Sequence, residues 1–312
     1  MRNLPAPLRE KLTRTWNLTP LTGGAEGYAG NTRKILADLR DGEQIEAVWI
    51  PAGKRRTVCV SSQVGCRFNC AFCASGKSGF TRNLEPAEIV TQVLLATQAT
   101  GEPPTHIVFM GIGEPFDNYD AVLKAVRIFH DPKGLNIGAR RMTISTCGVI
   151  PGIRRLSEEG MQIELSVSLH APTDALRTKL MPVNHRYPIA AILNACRDYV
   201  KKTNRIITFE YTLIAGLNDT PEQARALAAL LRRLPCRCNL IPLSPVAEFG
   251  YEAPPEKTAA HFVNTLAQAG INATLRLSKG LALKAACGQL RTRHPQSTCI
   301  RQENSPQRKN IV

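Results

Sequence analysis

From Arg56 to Leu277, apolar runs of strand length alternate with stretches whose apolar residues recur at helical spacing, and this alternation constrains the fold more than any other feature. Pro86 to Gln98 reads as a helix with Ile89, Val90, Val93 and Leu94 on one stripe, and Asp120 to His130 as another with Val122, Leu123, Val126 and Phe129 on its face. Strands are expected at Thr57 to Gln63, His106 to Met110, Arg141 to Thr146, Ile163 to Leu169, Ile206 to Ile214 and Cys238 to Leu243, with a weaker one at Ala273 to Leu277. Repeated βα units imply a parallel sheet, because parallel neighbours need a crossover long enough to hold a helix. About six such units predict an α/β fold, a partial (β/α)6 barrel, with a doubly wound open sheet as the alternative. Chemistry in such folds gathers at the C-terminal ends of the strands.

Residues 51–290 form the expected catalytic core. Residues 1–50 read as a small N-terminal appendage with a hairpin from Lys34 to Ile50 about the Asp41-Gly42 turn. Residues 291–312 read as a flexible basic tail, with Glu303 as its one acid. Lysine and arginine outnumber acids by 40 to 25, a net charge of +15, which favours a polyanionic partner and nucleic acid first. Hydrophobic residues make up 43% of the 312, as in a globular chain, and aromatics only 5%, so no base-stacking RNA module is indicated. Met1 to Trp16 carries charges throughout, and no run of eighteen apolar residues exists; neither a signal peptide nor a membrane span is expected. Ten cysteines in a chain this long suit a reducing compartment, and the expected location is cytoplasmic.

Three of those cysteines, Cys66, Cys70 and Cys73, sit in the run Cys66-Arg67-Phe68-Asn69-Cys70-Ala71-Phe72-Cys73 and supply three thiolates with no fourth. Such a set can hold three corners of a [4Fe–4S] cluster and leave the fourth iron to be chelated by the amino and carboxylate groups of S-adenosylmethionine (SAM). The alternative is structural zinc, which takes four protein ligands, usually as two close pairs. No second close pair of suitable spacing is present.

The run Cys59-Val60-Ser61-Ser62-Gln63-Val64-Gly65-Cys66, the cysteine loop that follows, Gly111-Ile112-Gly113-Glu114-Pro115, Ser168-Leu169-His170 and Ala285-Ala286-Cys287-Gly288-Gln289-Leu290 together resemble the RlmN/Cfr family. These are radical SAM enzymes that methylate an adenine carbon in RNA, and the likeness spans about residues 43 to 290. An sp² carbon of adenine has no lone pair to attack the SAM methyl group, so a radical route is required. The resemblance implies that Cys287 is methylated as a thiolate and that a second SAM, cleaved on the cluster, yields a 5′-deoxyadenosyl radical that abstracts hydrogen from that methyl. The carbon radical then adds to the base and joins RNA to Cys287. Cys59 resembles the resolving thiol that releases the product through a Cys59–Cys287 disulfide, and Glu46 the proton acceptor.

The resemblance further implies that Gly113, Glu114, Ser145, Ser168, Leu169, His170 and Ser244 contact SAM. It implies ribosomal RNA as partner, with transfer RNA for some members, a reducing donor such as flavodoxin or ferredoxin, and action as a monomer. C2 of the adenine is the expected target and C8 the runner-up. A non-catalytic, metal-containing RNA-binding protein is the alternative from another class. The chain reads as a divergent member. Ser244 stands where the family usually has asparagine, Lys279 to Lys284 lacks the usual acid, and the region before Glu46 is short. Cys147 stands where serine is more usual and reads as a small buried hydrophobe.

Overall fold

The structure is a computed structural model that describes residues 5–15, 21–276 and 284–291. Of the expected tail only Arg291 falls among them, and Lys279 to Leu283 lie outside. The strands are β1 (Leu21–Ala29), β2 (Thr32–Leu39), β3 (Gln44–Ala52), β4 (Arg55–Val60), β5 (Gln63–Gly65), β6 (Phe80–Asn83), β7 (His106–Phe109), β8 (Met142–Thr146), β9 (Glu164–Ser168), β10 (Ile207–Leu213), β11 (Cys236–Pro242) and β12 (Asn272–Leu275). The helices are α1 (Ala6–Thr15), α2 (Ala74–Lys77), α3 (Pro86–Thr100), α4 (Tyr119–His130), α5 (Ile150–Leu156), α6 (Asp174–Leu180), α7 (Ile189–Thr203), α8 (Pro221–Leu231) and α9 (Glu256–Gln268). None of these is long and apolar enough to cross a membrane.

One sheet runs β1-β2-β3-β4-β7-β8-β9-β10-β11-β12, and a separate ribbon pairs β5 with β6. From β4 to β12 every neighbour is parallel, whereas β1 to β4 pair antiparallel. The expected hairpin is β2 with β3, where Leu36 faces Glu46 across the ladder and Gly42 takes the left-handed φ of 86° that the turn requires. The boundary expected at residue 50 falls inside β3, whose ladder with β4 carries the sheet from the N-terminal strands into the parallel core.

Alternation along the strands decides between barrel and open sheet. Thr57 and Cys59 of β4, Val108 of β7, Thr143 of β8, Ser166 of β9, Thr208 and Glu210 of β10 and Asn239 of β11 all line one cavity. The intervening Val58, Ile107, Ile144, Leu165, Val167, Phe209, Cys238 and Leu240 are buried in the apolar core. Period-two alternation thus gives the sheet a mostly polar concave face and an apolar convex face beneath the helices. An open doubly wound sheet, covered by helices on both faces, would not enclose a polar cavity this way.

The crossover helices are fixed at their ends by local sequence. Glu85 and Glu88 form a reciprocal capping box at the start of α3, Pro86 opens it, and Gly101 at φ 72° closes it. Thr220 and Gln223 cap α8 in the same way, again with proline at the first position.

Candidate active site

The cysteine loop leaves β5 at Gly65, whose φ is 74° and whose missing Cβ would lie 1.9 Å from the Gly79 carbonyl oxygen; only glycine fits there. The Cys66 N–H donates to that same carbonyl at 2.8 Å, and the Cys73 N–H donates to Cys70 O at 3.1 Å. Asn69 adopts a left-handed φ of 45° at the turn between the first two cysteines. All three thiols line a cleft above the strand ends. Burial pushes the Cys66 thiol up to about 12 and the Cys70 thiol well above its ordinary value, so these groups gain most from a cation that takes their protons' place. Among the described residues, no three His, Cys, Asp or Glu side chains converge to hold a single metal ion. A [4Fe–4S] cluster takes each thiolate on a different iron, and three thiols of one loop facing one cleft fit that requirement.

The same cleft is lined by Gly113, Glu114, Ser145, Ser168, His170 and Ser244, drawn from the C-terminal ends of β7, β8, β9 and β11. Glu114 is 4% exposed and is held by two backbone donors, Phe116 N to Oε1 at 3.0 Å and Cys147 N to Oε2 at 2.7 Å. His170 has a left-handed φ of 57°, and its Nδ1 accepts from Thr212 N at 2.8 Å. That bond leaves the ring proton on Nε2, and burial takes the imidazole down to about 3, so the ring stays neutral. Phe72 of the cysteine loop packs edge-on against it with centroids 4.8 Å apart. Leu169 is fully buried in the core and does not line the cleft; its backbone N–H donates to Glu210 O at 3.0 Å.

Sequence patterning gave no sign of what holds these strand ends. Arg177 of α6 is fully buried and donates to the carbonyls of Leu169, Cys147, Ser168 and Tyr187 and to Asn184 Oδ1. A guanidinium can serve five such acceptors in one plane. Replacing Arg177 with methionine should cost about 3 kcal/mol or more of stability, because it strands buried carbonyls. The fall in urea midpoint measures it, and an unchanged midpoint would remove Arg177 from this role.

Below the cleft lies a second, larger cavity inside the barrel, lined by Cys59 and by Arg55, Arg140, Arg237 and Arg276. Cys287 lines both spaces. It is solvent-accessible within the cleft yet deep enough that burial raises its thiol, while Arg276 draws it back down. Cys59 is buried, which together with the nearby Cys287 thiol pushes it up to about 12. The Cys287 turn is tied down on several sides. Ala74 N donates to Gly288 O at 2.7 Å, Ser75 Oγ to Leu290 O at 2.8 Å and Gln289 Nε2 to Pro245 O at 2.8 Å. Glu46, fully buried, accepts from Arg291 N at 3.0 Å and pairs with Lys34 Nζ at 2.6 Å, and Lys34 also donates to Lys284 O. The expected proton acceptor therefore also anchors both ends of the turn that carries Cys287. Cys147 lines the upper cleft beside Glu114. Beyond the expected residues, the geometry adds Glu210, Arg276, Met110 and Ile241 to the meeting point of the two spaces.

Residues 60–231 match the model of the radical SAM superfamily. The chain is 49% identical over 301 residues to the probable dual-specificity RNA methyltransferase RlmN of Moorella thermoacetica, covering 93% of this chain and 85% of that protein. It is 48% identical over 297 residues to the protein of the same description from Geobacillus kaustophilus, covering 94% and 81%. Among solved structures, a radical SAM methyltransferase from Sphaerobacter thermophilus superposes with a TM-score of 0.90 at 48% identity, over 93% of this chain and 86% of that one.

Proposed function

Because the chain belongs to the RlmN family of radical SAM RNA methyltransferases, we propose that it methylates a ring carbon of an adenosine, C2 in particular, in 23S ribosomal RNA and in transfer RNA. The observation that carries this reading is the bridging position of Cys287, which faces the cysteine-loop cleft and the Cys59 cavity at once. A methyl carrier must meet the radical source on one side and its resolving thiol on the other. Four arginines around the lower cavity offer the phosphate contacts an RNA strand needs.

In this reading Cys66, Cys70 and Cys73 hold a [4Fe–4S] cluster, and Gly113, Glu114, Ser145, Ser168, His170 and Ser244 seat SAM, while Leu169, buried behind the cleft, only holds the β9 strand end in place. When bound, that pair supplies the one-electron chemistry that removes a hydrogen atom from a methyl group on Cys287, with electrons delivered by a donor such as flavodoxin or ferredoxin. Cys287 first acquires the methyl as a thiolate nucleophile and then presents the carbon to the base. Glu46 accepts the proton displaced from the ring as the base adduct gives its unpaired electron back to the oxidised cofactor pair, and the hydrogen bonds around Glu46 hold the Cys287 turn in register. Cys59 finally attacks Cys287 Sγ. An S–S bond forms, the S–C bond breaks, and its electron pair stays on the carbon, which takes up a proton to become the methyl group.

The test is direct. Anaerobically reconstituted protein, supplied with methyl-deuterated SAM, a reductant and either 23S ribosomal RNA or transfer RNA, should yield deuterated 2-methyladenosine on nuclease digestion and mass spectrometry. Labelled 8-methyladenosine would move the target carbon. No labelled adenosine in either RNA would overturn the reading.

A further inference from the structure

The upper cleft and the lower cavity share five lining residues: Met110, Glu210, Ile241, Arg276 and Cys287. The SAM-wall residues Gly113, Glu114, Ser145, Ser168, His170 and Ser244 line the upper space and not the lower. Whatever occupies the junction therefore lies beyond the SAM wall and against the thiol of Cys287.

Glu210 is the charged group of that junction whose hydrogen bonding is incomplete. It is 4% exposed and sits on β10, in register with Ser168 on one side and Asn239 on the other. Its Oε1 accepts from Ser166 Oγ at 3.2 Å and from Asn239 Nδ2 at 3.0 Å, which fixes the plane of the carboxyl group. Its Oε2 is buried and accepts no hydrogen bond from any described residue. The Arg276 guanidinium stands 3.8 Å from it, too far to donate, with a side chain 44% exposed and able to shift. A buried carboxylate oxygen without a donor is costly, and such exceptions call for an explanation.

We infer that Glu210 and Arg276 hold the target base by its hydrogen-bonding edge, the carboxylate accepting an N–H of the adenine 6-amino group and the guanidinium donating to an adjacent ring nitrogen. An adenine edge presents one donor beside one acceptor, the complement of this pair. Met110 and Ile241 supply apolar side chains at the same junction, suited to the faces of a flat ring. Glu210 is then a specificity-determining residue, because a base without the amino group leaves its Oε2 unpaired beside the methyl carrier. This inference rests on the adenine-methylating reading above.

A double-mutant cycle tests it. The adenosine that mass spectrometry identifies as methylated is replaced by purine riboside, which lacks only the 6-amino group, and kcat/KM is measured on both RNAs with wild-type holoenzyme and with Glu210→Ala. In the wild type the missing amino group should cost about 10- to 100-fold, the range for a hydrogen bond to a charged group. In Glu210→Ala that penalty should shrink to about 3-fold or less. Glu210→Gln keeps the shape with an uncharged acceptor and should give an intermediate penalty, and it carries the cycle if the alanine variant does not fold. A penalty as large in the variants as in the wild type would overturn the inference. So would a loss of SAM affinity with purine discrimination unchanged, which would assign the carboxylate to the cofactor. A wild-type enzyme that methylates neither RNA would overturn the parent reading as well, a result distinct from both.

Discussion

Protein carrying Cys59→Ala should emerge from the reaction covalently joined to its RNA, visible as a band that survives denaturation and collapses on nuclease treatment. Once the carbon on Cys287 has bonded to the base, release requires a nucleophile at the Cys287 sulfur. Among the described residues, Cys59 is the other cysteine lining the lower cavity; Cys66, Cys70, Cys73 and Cys147 all open onto the upper cleft. Cys287→Ala should give neither cross-link nor methylated RNA, and wild-type protein should carry a methyl group on Cys287 by mass spectrometry. The environment of Cys59 adds a pH signature. Burial holds its thiol up at about 12, so the thiolate fraction, and with it the rate of release, should rise about tenfold per pH unit across the neutral range. Methylation by Cys287→Ala would remove the covalent route. Free turnover by Cys59→Ala would assign release to another thiol.

The barrel was readable in the sequence because each βα unit advertises itself twice, once as an apolar strand and once as a striped helix. The predicted helix from Pro86 runs to Thr100, and the predicted strand at Ile206 to Ile214 is Ile207–Leu213. The β5–β6 ribbon was missed because three- and four-residue strands are too short to show alternation. The helix α6 was missed as well, and with it Arg177, because a buried arginine that bonds mostly carbonyls has no partner visible as a charge pair in the sequence. Glu210 escaped for a related reason. It lies in a seven-residue strand of otherwise ordinary composition, and only closure of the sheet turns its alternate face into the lining of a cavity. By contrast, residues gathered in short motifs, such as Gly113 with Glu114, were legible because one turn of chain already brings them together.

Replacing any one of Cys66, Cys70 or Cys73 with alanine should abolish bound iron and reductive SAM cleavage, whereas Cys147→Ala should keep both. The contrast matters because the folded chain brings a further thiol, besides that of Cys287, to the same cleft: Cys147 follows β8, lines the upper space and feels the charges of Cys66 and Cys70. Were Cys147 a fourth ligand, the cluster would be coordinatively closed and no iron would remain for the SAM amino and carboxylate groups. Its surroundings argue otherwise. Cys147 is 9% exposed and part of the apolar core. Its backbone N–H and carbonyl are bound by Glu114 and Arg177, and its thiol is pushed up by burial first and by the Glu114 carboxylate next. The loop cysteines, by contrast, share a turn shaped by Gly65 and Asn69 and present three sulfurs to one space. Iron content of about four per chain in Cys147→Ala, with SAM cleavage near the wild-type rate, is the expected result. Loss of iron in that variant comparable to the loss in Cys70→Ala would close the fourth corner and remove the seat for SAM.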